Sequence, residues 1–233
     1  APVSKNPLLS LGNQLVDFAA FVPYQVEAIL ANETTRKKYE KIGQVIIGGA
    51  PISVKIEDEL RSLKNQSYAT FGMTETITHI ALKNVTNGDN YYKCLPGITV
   101  EQDERDCLVI NKNAISNDLI TNDIITLIDA HKFQWHGRID NVVNSAGVKL
   151  FPEELEKKIA ERFSENRFYF IGRKSAVFGE ELILLIEGEQ PVNWIDIENE
   201  MMNRLKPFEY PKAIVFIAEF KETQTGKVIR QIS

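Results

Sequence analysis

Between Ser67 and His136 the chain is punctuated so often that no element there can be long. Tyr68–Phe71, Thr78–Leu82, Tyr91–Lys93, Ile98–Glu101, Leu108–Ile110, Ile124–Leu127 and Phe133–His136 are short apolar or β-branched runs. Turn formers such as Asn87-Gly88-Asp89 and Pro96-Gly97 separate them. Strands at this spacing predict a sheet or a small barrel.

The flanks read differently. Before Ser67, Val26, Ile29 and Leu30 recur at helical spacing within Gln25–Asn32, and Glu33–Ile42 reads as a second helix. Val45-Ile46-Ile47 is a buried-strand run stopped by Gly48-Gly49-Ala50-Pro51, and Ser53–Leu63 follows as a helix with Ser53 as its N-cap. Strand, loop, helix and strand again make an α/β unit. Beyond Gly137-Arg138-Ile139-Asp140 the pattern changes once more. Val142-Val143 is a short strand, and Pro152 opens a helix over Glu153–Phe163. Strands at Phe168–Gly172 and Leu182–Glu187, a helix at Trp194–Arg204 and a strand at Ala213–Ile217 complete it. The expectation is α/β plus α+β, with domains at 1–139 and 140–233.

Composition removes several classes. With 27 Lys+Arg against 32 Asp+Glu the net charge is −5, so a nucleic-acid partner has no basic stripe to bind. No apolar run approaches the ~20 residues needed to span a bilayer as a helix. Cys94 and Cys107 match neither a zinc pattern nor a disulfide framework, which makes a cytoplasmic setting the default expectation. The opening Ala-Pro-Val-Ser reads as the middle of a longer chain, with no signal peptide ahead of the Asn-x-Ser/Thr sites at Asn32, Asn65 and Asn84.

Generic enzyme signatures fail. Thr225-Gly226-Lys227 falls short of a P-loop, because Lys221 stands where the leading glycine belongs and Val228 follows the lysine. No G-x-G-x-x-G, H-E-x-x-H or G-x-S-x-G is present. What remains is an ordered set of segments: Gly48–Pro51, Phe71-Gly72-Met73-Thr74-Glu75, Thr121-Asn122-Asp123, Gly137–Asn141, Gly147 with Pro152-Glu153-Glu154, and Thr225–Arg230. Each has a plain structural reading. Gly48–Pro51 is a turn, Thr74 caps a helix start, and Thr121–Asp123 is an Asx turn. His79 and His136 read as packed or surface residues, and Trp194 as core or interface.

Taken in order, these segments resemble the adenylate-forming superfamily of acyl- and aryl-CoA ligases. Gly-Arg-Ile-Asp-Asn, Gly-Val-Lys-Leu-Phe-Pro-Glu-Glu and the compact connection from Phe71 to Asp123 are most similar to the o-succinylbenzoate–CoA ligases of menaquinone biosynthesis. The match is to the later part of such an enzyme. The resemblance implies the C-terminal part of a large AMP-binding domain, then a small mobile domain that carries a catalytic lysine.

It also implies residue roles. The loop Gly48, Gly49, Ala50 and Pro51 lines an adenine; Phe71, followed by Gly72, stacks on the base; Thr74 meets the α-phosphate. Glu75 meets Mg²⁺, Asp123 and Arg138 hold the ribose, Asp140 is the hinge, and Lys227 is the catalytic lysine. ATP or AMP, CoA and a small carboxylic acid are the implied ligands, and a homo-oligomer is left open.

Two departures stand out. Asn122 replaces the glycine of the usual Thr-Gly-Asp, and Ala146 replaces the first glycine of Ser-Gly-Gly, adding a methyl near the expected pantetheine channel. The Ser/Thr/Gly-rich phosphate loop of the family is absent from these 233 residues, so the chain alone is expected to be inactive. The alternatives are another acyl-CoA ligase or adenylating enzyme, or a non-catalytic nucleotide-binding fragment.

Overall fold

In the computed structural model, residues 4–12, 14–112, 118–163, 166–222 and 228–231 are described. The chain divides into two compact units, Ala1–Thr121 with Ile125–Trp135, and Asn122–Ile124 with His136–Ser233.

The first unit opens with β1 (Phe18–Phe21), α1 (Pro23–Leu30) and α2 (Glu33–Tyr39). Then come β2 (Gln44–Ile47), α3 (Val54–Arg61) and β3 (Gln66–Gly72). Pro23 fits the first turn of α1, where its missing N–H would have no helical partner. Asn32 and Ser53 cap α2 and α3, their side chains accepting from the Thr35 and Ile56 N–H groups. β1, β2 and β3 run parallel. Val26, Ile29, Tyr39, Ile42, Val45, Ile47 and Leu60 form their core, each large side chain contributing about 1.5–3 kcal/mol by burial.

The sheet continues through β4 (His79–Asn84), β5 (Tyr92–Cys94), β6 (Ile98–Gln102), β7 (Cys107–Lys112), β8 (Leu119–Asp129) and β9 (Lys132–Arg138). The result is one nine-stranded sheet in the order β1-β2-β3-β4-β5-β9-β8-β7-β6. Ile80, Val100, Leu108, Ile110, Ile125 and Phe133 pack as its second core.

The second unit contains β10 (Val143–Ser145), β11 (Val148–Leu150), α4 (Pro152–Ile159) and β12 (Phe168–Ser175). β13 (Gly179–Glu187), α5 (Trp194–Arg204) and β14 (Ala213–Ile217) follow. β13 pairs antiparallel with β12 and parallel with β14. Its Leu182–Ile186 run is wholly apolar because both faces are covered. Leu182, Leu184 and Ile186 join Ile159, Trp194 and Met201, whereas Ile183 and Leu185 meet Tyr169 and Phe220.

The structure departs from the sequence reading at several points. Thr121-Asn122-Asp123 lies in the middle of β8 and makes no turn. β1 and β11 were not legible as strands, and the helix after Pro152 ends at Ile159 before a 3-10 turn over Ala160–Phe163. Ile77 is the exposed end of a second 3-10 turn, Thr74–Thr76, at φ 66° and ψ −42°. A β-branched residue rarely adopts that region, so this turn holds local strain.

Candidate functional site

In the first unit, Gly48–Pro51 leaves the end of β2. The Gly48 N–H donates to the Phe21 carbonyl at 3.1 Å, and a Cβ at Gly48 would stand 2.3 Å from Thr70 Oγ1 on the neighbouring strand. Gly49 sits at φ +87°, in the left-handed region that suits glycine. This loop is a close backbone approach with no side chain of its own until Ala50.

Phe71 and Gly72 end β3. Phe71 is half-buried and meets Tyr92 and Phe133 edge-on, with ring centroids 5.5 and 5.1 Å away. Its ring is thereby held by an aromatic cluster. A Cβ on Gly72 would come within 2.7 Å of the Thr78 carbonyl and the His79 Cα, so the β3–β4 irregularity at this point requires glycine. Thr74 and Glu75 follow, both exposed on the 3-10 turn. The cap is not Thr74. Thr76 does that work, its hydroxyl oxygen accepting from the Met73 N–H at 3.0 Å. Thr74 and Glu75 are therefore left pointing outward from a turn that other residues stabilise.

In the second unit, Asp123 is buried on β8. Asp123 is among the charges that hold the Arg138 guanidinium's pKa above its ordinary value, after the larger effect of its hydrogen bond to Asp140. That bond, Arg138 Nη2 to Asp140 Oδ2, is 2.7 Å. Asn122 also donates to Asp140, at 3.1 and 3.3 Å to the two carboxylate oxygens. Asp140 sits in a 3-10 turn, Ile139–Asn141, between β9 and β10. Asp123, Arg138 and Asp140 are thus brought together in one unit.

A second layer supports them. Gly137, at φ +154°, passes so close to Glu153 that a Cβ would stand 2.5 Å from Glu153 Oε2. The buried Glu153 accepts from Asn141 at 2.5 Å, and His136 Nδ1 makes a short contact with Glu154 Oε1. The start of α4 therefore grips the chain on both sides of Gly137. Sequence reasoning did not find these ties, which join residues 12 to 18 positions apart.

Lys227 lies outside the described residues. The chain beyond it does not: Val228 bridges to Glu222, and Arg230 reaches Glu156. The turn Ala146-Gly147 joins β10 to β11, where Ser145 pairs with Val148. Both turn residues have positive φ, 50° and 80°, as a type I′ hairpin turn demands. The Ala146 methyl stands on an exposed turn residue.

Among solved structures, the chain superposes on o-succinylbenzoate CoA synthetase from Bacillus subtilis with a TM-score of 0.77 at 16% identity, covering 95% of this chain and 51% of that one. The chain has the adenylate-forming ligase fold. A crystal structure from Dyadobacter fermentans, described as an acyl-CoA synthetase (AMP-forming)/AMP-acid ligase II-like protein, is 35% identical with a TM-score of 0.57. That match covers 97% of this chain and 66% of that one. The 2-succinylbenzoate–CoA ligase of Lactococcus lactis is 20% identical over 97% of this chain and 53% of its own length. No family model matches.

The chain spans about half the length of that Lactococcus ligase and 41% of its counterpart from Haemophilus influenzae. Within the adenylate-forming fold, the first unit holds the Gly48–Pro51 loop and the Phe71–Glu75 turn, and the second holds the Asp123–Arg138–Asp140 cluster. No helix among the described residues is long and apolar enough to cross a membrane.

Proposed function

We propose that the chain is part of an ATP-dependent CoA ligase that adenylates an aromatic carboxylic acid, o-succinylbenzoate by resemblance, and passes the acyl group to CoA in the cytoplasm. The observation that carries this reading is the meeting of Asp123, Arg138 and Asp140 in a chain of adenylate-forming fold. A buried carboxylate beside a guanidinium offers what a ribose needs, an acceptor for its two hydroxyls and a donor for its oxygens.

In the first step, a carboxylate oxygen of the acid attacks the α-phosphorus of ATP, the bond to the bridging oxygen breaks, and pyrophosphate leaves. In the second, the CoA thiol gives up its proton and attacks the acyl carbon. The acyl–oxygen bond breaks and AMP leaves. The first step brings two anions together, so catalysis is mainly positioning and electrostatics.

Phe71 and the Gly48–Pro51 loop would face the base, the Gly72 backbone would allow its close approach, and the Thr74 hydroxyl would meet the α-phosphate. Glu75, exposed on its turn, suits Mg²⁺ as a lone carboxylate, because that ion keeps waters and phosphate oxygens as its other ligands. When bound, the ion neutralises phosphate charge. Lys227 would supply an ammonium to the first step only. The small domain would then pivot at Asp140 and present the Ser145–Gly147 loop for the second.

A pyrophosphate-release panel of acids, with and without CoA, tests the substrate in the whole protein. o-Succinylbenzoate should give release without CoA and AMP with it; release restricted to non-aromatic acids overturns the assignment. Lys227→Ala should abolish adenylation by a factor on the order of 10²–10³ yet spare thioester formation from supplied acyl-adenylate. Asp140→Pro, which fixes φ at the pivot, should do the reverse. The 233 residues alone are expected not to adenylate, for want of a phosphate loop; turnover by the purified chain contradicts this. AMP-dependent thermal stabilisation of the whole protein without any product favours a non-catalytic nucleotide binder instead.

A further inference from the structure

We propose that Asn122 is a positioning residue that clamps the carboxylate of Asp140 and so sets how readily the chain pivots there. The inference rests on the reading of Asp140 as the pivot.

β8 supplies the geometry. Side chains alternate along a strand, and Thr121 and Asp123 are both buried, which turns Asn122 between them to the opposite face. There its carboxamide donates to Asp140 at 3.1 Å, with the second carboxylate oxygen at 3.3 Å. Arg138 donates to the same carboxylate at 2.7 Å. A glycine at this position would have no group to make the Asn122 bond. The clamp therefore belongs to the Asn122 side chain itself, one peptide unit from the carboxylate proposed to hold the ribose.

Its strength suits a pivot. The Arg138 and Asp140 side chains are 49% and 51% exposed, and solvent-exposed polar and ionic pairs contribute only about 0.2–1 kcal/mol. A clamp of that size biases an equilibrium by about 1.4- to fivefold without locking it. A fully buried clamp would carry the larger penalty of unpaired polar groups on every opening.

The Val142 N–H, which donates to the Ile139 carbonyl at 3.2 Å, closes the turn that carries Asp140. Its hydrogen exchange reports opening there independently of catalysis. In the whole protein, Asn122→Ala should speed Val142 exchange by about 1.4- to fivefold, and exchange in the β12–β13 ladder should not change. Asn122→Asp, of the same size but repelling Asp140, should speed Val142 exchange at least as much.

The same Asn122→Ala variant should raise the rate of thioester formation relative to adenylation by a similar factor, with KM for ATP within about twofold. Unchanged Val142 exchange in both variants overturns the clamp. Faster exchange with an unaltered ratio of the two half-reactions overturns its role at the pivot. If the wild-type protein forms no acyl-adenylate, the functional reading fails instead, and the exchange experiment still decides the clamp.

Discussion

The Glu156 carboxylate on α4 accepts from both terminal nitrogens of Arg230, at 2.6 and 2.7 Å, and so pins the chain three positions beyond Lys227 to the body of the second unit. The same carboxylate accepts from the Phe170 N–H at 2.9 Å, and the guanidinium lies over the Tyr169 ring, 5.4 Å from its centroid. Burial pushes the Glu156 carboxyl up to about 7, against the opposing pull of Arg230.

Removing one partner of such a pair strands the other charge. Glu156→Ala should therefore cost about 3 kcal/mol of stability, read from denaturant unfolding of the purified chain. A loss below about 0.5 kcal/mol would show that water reaches Arg230 freely and that the pair is no anchor.

Gly72 is the place where a single methyl should damage the Phe71–Glu75 segment. The clash is with backbone, the Thr78 carbonyl and the His79 Cα at 2.7 Å, which cannot rotate away. Gly72→Ala should cost about 1–3 kcal/mol and weaken AMP binding measured by calorimetry on the whole protein. An alanine variant of unchanged stability and affinity would mean that β3 and β4 separate at little cost.

The hairpin turn after β10 should respond in the opposite direction. Ala146 occupies φ +50°, a region that costs a non-glycine residue about 1–2 kcal/mol, while glycine gives back part of that through its freer unfolded chain. Ala146→Gly should raise the stability by about 0.5–1 kcal/mol. Ala146→Val should lower it, and a midpoint shift of the same sign in both variants would contradict the turn geometry.

Acid should act through Arg167 and Glu187. The guanidinium donates to both carboxylate oxygens at 2.6 and 2.5 Å, and the Phe220 N–H adds a third bond at 2.7 Å. The Arg167 hydrogen bond is the main reason that Glu187 titrates below the usual carboxylate range. A carboxyl depressed in the fold lends stability above its unfolded pKa, and that stability is lost as pH falls through the folded value. Wild type should exceed Arg167→Gln by about 1 kcal/mol at pH 7, with the gap closing in acid below the ordinary carboxylate range. A gap that widens toward acid in paired unfolding curves would reverse this assignment.

α5 and β14 were legible to the residue because their signals are local. Trp194, Ile197 and Met201 repeat at helical spacing and all become core, and Ala213–Ile217 is an uninterrupted apolar run beside turn-forming residues. Ser53 was legible as a cap for the same reason: the bond it makes is to a residue three positions on.

The sequence by itself determined the order of the chemical groups and the helices and strands whose periodicity is intrinsic. Only the tertiary structure decided that Thr121-Asn122-Asp123 runs through β8, since polar residues in a strand are tolerated when neighbours distant in sequence, such as Arg105 at the Thr121 carbonyl and Asp140 at Asn122, satisfy them. It alone decided that Thr76 rather than Thr74 caps the turn, and that Glu153 and Glu154 reach back to Asn141 and His136. Such bonds depend on where the chain returns in space, and no local preference encodes that return.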